Sequence, residues 1–147
     1  YVNRYYHTQY EKYEIPPEAL ADEQFAAIIK EAEKYLGYPY IWGGSSPATS
    51  FDCSGFVSYV YNNCGQHWSF GRLGAEGLRG MCAYVSPESA RPGDLIFFEK
   101  TYDTAGASHV GIYVGNNRML HCGDPIHYAS IDTSYWRSHF LQFGRLP

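Results

Sequence analysis

Apolar residues recur at helical spacing between about Pro17 and Leu36. Phe25, Ile28, Ile29, Ala32 and Leu36 share one face, and Glu23, Lys30, Glu31 and Lys34 take the other. This pattern predicts one amphipathic helix, stopped by Gly37 and kept from resuming by Pro39. A loop rich in Gly, Ser and Pro follows from Trp42 to Ser50. A second helical period then begins at Cys53, with Phe56, Val57, Val60 and Tyr61, and ends at Asn62, Asn63 and Gly65. Ser50 or Asp52 stands where its N-cap is needed. Residues 65–90 hold no sustained period and read as loop, with a short helix near Ala75–Leu78. From Arg91 the pattern changes to short β runs at Leu95–Glu99, His109–Val114, Arg118–Cys122 and Phe140–Arg145, with a further strand near Tyr128–Ile131. Turn chemistry at Pro92-Gly93, Gly115-Asn116-Asn117 and Gly123-Asp124-Pro125 separates them. Helices first and strands afterwards predict an α+β fold, N-terminal helices packed on a small antiparallel β-sheet.

The 147 residues fit one domain with a single core. Lys plus Arg number 11 against 15 Asp plus Glu, a formal net charge of -4, so no nucleic-acid partner is expected. No apolar stretch approaches the roughly 18 residues that a membrane-spanning helix needs. The chain is rich in aromatics, with 15 Tyr, 8 Phe and 3 Trp, which favours strands and clefts with amphipathic walls. Five of the tyrosines fall within residues 1–17, which end in Pro16-Pro17 and read as a linker or N-terminal arm ahead of a domain over 18–147. A start at Tyr1 without a basic-then-apolar leader reads as a mature or excised piece of a longer protein. The four cysteines, Cys53, Cys64, Cys82 and Cys122, lack the spacing of a disulfide scaffold or a structural zinc site.

Cys53 falls at the first turn of its helix, where the positive end of the helix dipole favours a thiolate. On position alone, a buried core thiol is the simpler reading. Strand alternation adds the second element. Val110, Ile112 and Val114 face one way, and His109, Gly111 and Tyr113 face the other. With a three-residue loop at Gly115-Asn116-Asn117, Val114 pairs with Arg118 and Gly111 with His121, which puts His121 diagonally beside His109 on one face. Gly111, lacking a side chain, leaves room for an imidazole there. A two-residue loop would turn His121 away. Three readings of the pair stay open: a solvated couple, a metal site with Asp103 or Asp124 recruited, or the imidazoles of a cysteine nucleophile with His121 as orienter.

Four blocks carry a resemblance. Tyr40-Ile41-Trp42-Gly43-Gly44, Phe51-Asp52-Cys53-Ser54-Gly55-Phe56-Val57, Arg91-Pro92-Gly93-Asp94-Leu95, and Ser108 to Gly115 with Leu120-His121 occur in the order of the NlpC-type bacterial cell-wall cysteine peptidases. The resemblance covers about Phe25 to Leu146. The tail from Cys122 to Arg145 further resembles bifunctional wall hydrolases of Gram-positive mobile elements, in which a lysozyme-like domain precedes the peptidase.

The resemblance implies a papain-like fold with Cys53 as nucleophile, His109 as its imidazole partner and His121 as the third, orienting residue. Tyr40 matches a tyrosine whose hydroxyl reaches the active site and helps hold the oxyanion beside the Cys53 N–H. Asp52 and Ser54 match the residues flanking the nucleophile, where substrate contact and plain helix capping are equally good readings. Asp94 reads as structural, and Cys122 as packing on the face opposite His121. The implied reaction is hydrolysis of the D-γ-glutamyl–diamino acid amide in peptidoglycan stem peptides, outside the cell or at its wall, without metal or cofactor. The implied partner is an upstream wall-hydrolase domain in the same chain. Alternatives are a cysteine amidase or acyltransferase on the same scaffold, an inactive wall-binding module, and, third, a zinc-binding protein.

Overall fold

Asp22 divides the first helical stretch in two. In the computed structural model, which describes residues 13–147, Pro17–Leu20 forms a single turn (α1), Glu23–Ala32 the main helix (α2), and Glu33–Tyr35 a closing 3-10 turn. The apolar period alone predicts one continuous helix. The break arises because the Asp22 carboxylate accepts the Phe25 N–H at 3.0 Å and caps a new N-terminus. A second departure concerns Glu31, which is buried rather than solvated and accepts the Tyr35 hydroxyl at 2.6 Å and the Lys34 ammonium at 2.9 Å. The arm expected over 1–17 lies mostly outside the described residues. Tyr13 packs its ring 5.4 Å from that of Tyr128, with the Arg118 guanidinium 5.1 Å from its centroid.

A two-rung ladder, Ser45–Ser46 (β1) with Ser50–Phe51 (β2), leads into the central helix Cys53–Asn63 (α3). The segment read as loop holds a helix at Ala75–Met81 (α4) and a strand at Ala83–Val85 (β3). The remaining strands are Leu95–Glu99 (β4), Ala107–Gly115 (β5), Arg118–Cys122 (β6), Ile126–Ser130 (β7) and Phe140–Arg145 (β8), with a short helix Ser134–His139 (α5) before the last. Neighbouring strands of the six-stranded sheet pair antiparallel, in the order β3-β8-β4-β5-β6-β7.

The β5–β6 hairpin departs from expectation in its loop and agrees in its outcome. Its turn has two residues, Asn116 and Asn117, both at positive φ (51° and 55°), as a hairpin turn of this length requires. Gly115 pairs with Arg118, so the expected Val114–Arg118 pair does not form. A bulge at Val114 then absorbs one residue, and the ladder resumes as Tyr113↔Met119 and Ile112↔Leu120. Continuing that register sets Gly111 opposite His121, so His121 shares a face with His109 after all.

One face of the sheet, with Leu95, Phe97, Val110, Ile112, Leu120 and Cys122, joins Phe25, Ile28, Phe56, Val57 and Val60 in the main core. Each such side chain contributes roughly 1.5–3 kcal/mol by leaving water. The other face packs Ile96, Phe98, Met119 and Phe143 under Trp136 and Phe140. Asp94 sits at the entry to β4, accepting the Arg91 N–H at 2.9 Å and the Arg145 guanidinium at 2.7 and 2.9 Å, a structural role as expected.

Candidate active site

Two glycines let the loop before α3 close against its first turn. A Cβ on Gly55 would lie 2.0 Å from the Gly44 carbonyl oxygen, and one on Gly44 would lie 2.6 Å from that of Ser50. Across this contact the Asp52 carboxylate accepts the Gly55 N–H at 2.8 Å and the Gly43 N–H at 3.0 Å. Asp52 is thus the N-cap, and Cys53 is the first residue of the helix, where amide N–H groups lack intrahelical acceptors. Cys53 is only 6% exposed, and its Sγ lies 4.0 Å from the Ser108 carbonyl oxygen on β5.

The sheet opens beside it. Pairing between β5 and β6 ends at Ile112↔Leu120, while β5 stays paired with β4 to Ala107 and β6 with β7 to Cys122. His109 and His121 bridge the gap, Nε2 of the first 2.9 Å from Nδ1 of the second. A Cβ on Gly111 would meet His121 Cβ at 3.2 Å and Met119 Sδ at 2.9 Å, so the absent side chain makes room for the imidazole, as expected. A thiol at a helix N-terminus, against the strand that carries one of two hydrogen-bonded imidazoles, is equipped for acyl transfer by a sulfur nucleophile.

Residues 37–145 match the NlpC/P60 family. The chain belongs to that family. Over 129 residues it is 43% identical to the bifunctional muramidase/DL-endopeptidase CwlT of Bacillus subtilis, covering 83% of this chain and 36% of that protein. It is 35% identical over 129 residues to the gamma-DL-glutamyl hydrolase of the same organism, covering 80% of this chain and 28% of the relative. It therefore spans about a third of these relatives' length. A lipoprotein-like NLP/P60 structure from Staphylococcus aureus superposes with a TM-score of 0.80 at 39% identity, over 95% of this chain and 44% of that one. The NlpC/p60 domain of the peptidoglycan hydrolase SagA gives 0.63 at 32%, over 82% and 96%. The fold is accordingly α+β and papain-like.

Burial governs the protonation states in this NlpC/P60 domain. It pushes the Cys53 thiol up to about 11; the Val110 and Ser54 amides and the Arg72 charge work against that rise, and Asp52 adds to it. Burial also draws His109 down to about 4, with the Asp52 charge pulling the other way. His121 is held well below the usual histidine range by burial, then by His109 and His127. Burial thus favours the neutral form of the thiol and of both imidazoles. For His109 Nδ1 to receive a proton, its Nε2–H must donate to His121 Nδ1, which leaves the His121 proton on Nε2. That buried nitrogen has no hydrogen-bond partner among the described residues. The ring of His127 lies 4.9 Å from that of His121, its own Nδ1 2.6 Å from the Pro125 carbonyl.

Tyr40 is half-buried, its N–H donating to Asp124 Oδ1 at 3.1 Å. Burial first, then Cys53 and Asp52, keep its phenol above the usual range and hence a proton donor. Asp52 and Ser54 are both held by one arginine. Arg72 donates to both Asp52 oxygens at 2.9 Å and to Ser54 Oγ at 2.8 Å, and Ser54 donates to Asp52 at 3.3 Å. Cys64, Cys82 and Cys122 are unbridged. Cys122 is fully buried in the main core with Sγ 3.3 Å from the Phe51 carbonyl.

Sequence reasoning missed Trp136. Its ring stacks on His109 at 5.1 Å and 26°, stands edge-on to His121 at 5.4 Å, and packs against Phe98 at 4.5 Å. It covers the histidine pair from the second face of the sheet. The available signal was Thr133, whose side chain caps α5 by accepting the Trp136 N–H at 3.2 Å.

Proposed function

We propose that this domain is a thiol-dependent endopeptidase of peptidoglycan, cleaving the amide between D-γ-glutamate and the following diamino acid of the stem peptide. The observation that carries the reading is the 2.9 Å His109–His121 bond in the opened β5–β6 gap, with the Cys53 thiol against the same strand. The names of the relatives, a DL-endopeptidase and a gamma-DL-glutamyl hydrolase, support the substrate class.

In this reading the Cys53 proton passes to His109 Nδ1 as Sγ bonds to the γ-carbonyl carbon. The oxyanion is held by the Cys53 N–H and the Tyr40 hydroxyl. Collapse breaks the C–N bond, and His109 returns the proton to the leaving amine, leaving a thioester on Cys53. Water then attacks the thioester carbon, giving its proton to His109; the γ-carboxylate leaves and the thiol is restored. His121 accepts the His109 Nε2–H throughout and fixes the ring and its tautomer. No cofactor enters. The work lies at the cell envelope, beside a second wall-hydrolase domain of the full-length chain, as the bifunctional relative supports.

Digestion of purified muropeptides by wild type and Cys53→Ala, with products weighed by mass spectrometry, tests this. Cleavage after the γ-linked glutamate that the variant cannot perform is the expected result. Intact muropeptides with folded, reduced wild type would turn the reading to an acyltransferase or an inactive wall-binding module.

A further inference from the structure

A carboxylate next to a thiol that must become an anion opposes that ionisation. Asp52 stands in the chain directly before Cys53, and its charge works against the thiolate. Arg72, in the irregular segment between α3 and α4, meets it. Its Nη2 lies 2.9 Å from each Asp52 oxygen, and its Nη1 donates to Ser54 Oγ at 2.8 Å and to the Leu73 carbonyl at 3.0 Å. The Asp52 carboxylate is 11% exposed and the Arg72 side chain 37%, so solvent screens the pair only in part. The same carboxylate holds the Gly43 and Gly55 amides, which shape the loop and the first turn around the nucleophile.

We propose that Arg72 is a positioning residue for the nucleophile, cancelling the Asp52 charge beside Cys53 and fastening the carboxylate that holds the Gly43 and Gly55 amides. This rests on Cys53 being the nucleophile. Besides Asp52 and Arg72, the titratable groups that face Cys53 among the described residues are Tyr40 from the preceding loop and Cys122 on β6, with His109 next in the chain to the Ser108 carbonyl that Cys53 approaches. Burial favours the neutral form of each of these three. The Asp52–Arg72 ion pair is therefore what sets the local charge at the thiol.

The test reads the pH midpoint of Cys53 alkylation by iodoacetamide, followed by peptide mapping, together with muropeptide turnover. Arg72→Met raises the midpoint by about one pH unit and lowers kcat by about 10- to 100-fold. Arg72→Lys, which restores the charge, brings the midpoint most of the way back. The double variant Arg72→Met with Asp52→Asn returns the midpoint to near the wild-type value, because both charges are gone. Should Arg72→Met not fold, Asp52→Asn alone keeps the arginine and lowers the midpoint. An unchanged midpoint in folded Arg72→Met, a double variant shifted further upward, or an unshifted Asp52→Asn overturns the proposal. Alkylation needs no turnover, so failure of the nucleophile reading, seen as full hydrolysis by Cys53→Ala, is a separate result.

Discussion

His109 Nε2 and His121 Nδ1 lie 2.9 Å apart with their ring planes crossed at 82°, and the bulge at Val114 puts them there. Without that extra residue, a two-residue turn at Asn116-Asn117 would present His121 to the α3 side of the sheet and Cys122 to the Trp136 side. The site therefore depends on backbone irregularity in one hairpin as much as on the identity of its side chains.

Gly111 should be the most sensitive small residue in that hairpin. In Gly111→Val the new side chain would press on Met119 Sδ, 2.9 Å from an ideal Cβ, and on His121 Cβ at 3.2 Å. Overpacking of this kind costs about 1–3 kcal/mol, and the displaced imidazole lowers kcat further. Urea denaturation alongside muropeptide hydrolysis separates the two effects. An unchanged kcat would mean that the spacing of the imidazoles does not matter.

Gly55→Ala tests the loop–helix contact. A Cβ 2.0 Å from the Gly44 oxygen leaves no room unless both backbones move, so the expected loss is at least about 3 kcal/mol. The helix propensity of alanine, which favours it by about 1 kcal/mol, does not offset that. A variant as stable to urea as wild type would contradict the packing described.

Acid should weaken both fold and activity through His109. Its folded-state value of about 4 lies below the ordinary 6.5, so the unfolded chain takes up the proton first as pH falls. Stability is unaffected by this group above about 6.5 and declines between 6.5 and about 4, by about 3 kcal/mol in total. A base must be neutral to act, so kcat/KM should persist through about pH 5 and fall as pH approaches 4. Thermal melts and initial rates over that range check both; an acid limb centred near 6.5 would contradict the burial argument.

Tyr40→Phe should be partial in effect. Loss of one oxyanion donor costs about 2.7–4 kcal/mol, or 10²–10³-fold in kcat. The Cys53 N–H remains as a donor, so residual turnover should stay well above that of Cys53→Ala. Equal inactivity of the two variants would give Tyr40 a larger role than oxyanion support.

Much of this was legible because it rests on local rules. Strands β4, β6 and β8 follow from alternation and turn chemistry with their observed bounds. What could not be read depends on partners distant in the chain or on single side chains. The Asp22 cap outweighs a continuous apolar period, and Glu31 is buried because Tyr35 and Lys34 bond it. Arg72 lies 20 residues from Asp52 in a segment with no period, and nothing local marks it as a partner. The hairpin prediction reached the right face by the wrong route, since one bulged residue and one extra loop residue shift the register equally.

The most direct measurement follows hydrolysis as iodoacetamide labels the reduced enzyme, with the labelled cysteine identified by peptide mapping. The site described here predicts that activity falls in proportion to labelling of Cys53, while buried Cys122 stays unmodified and bound muropeptide protects the thiol. Full hydrolysis by enzyme completely labelled at Cys53 would contradict it.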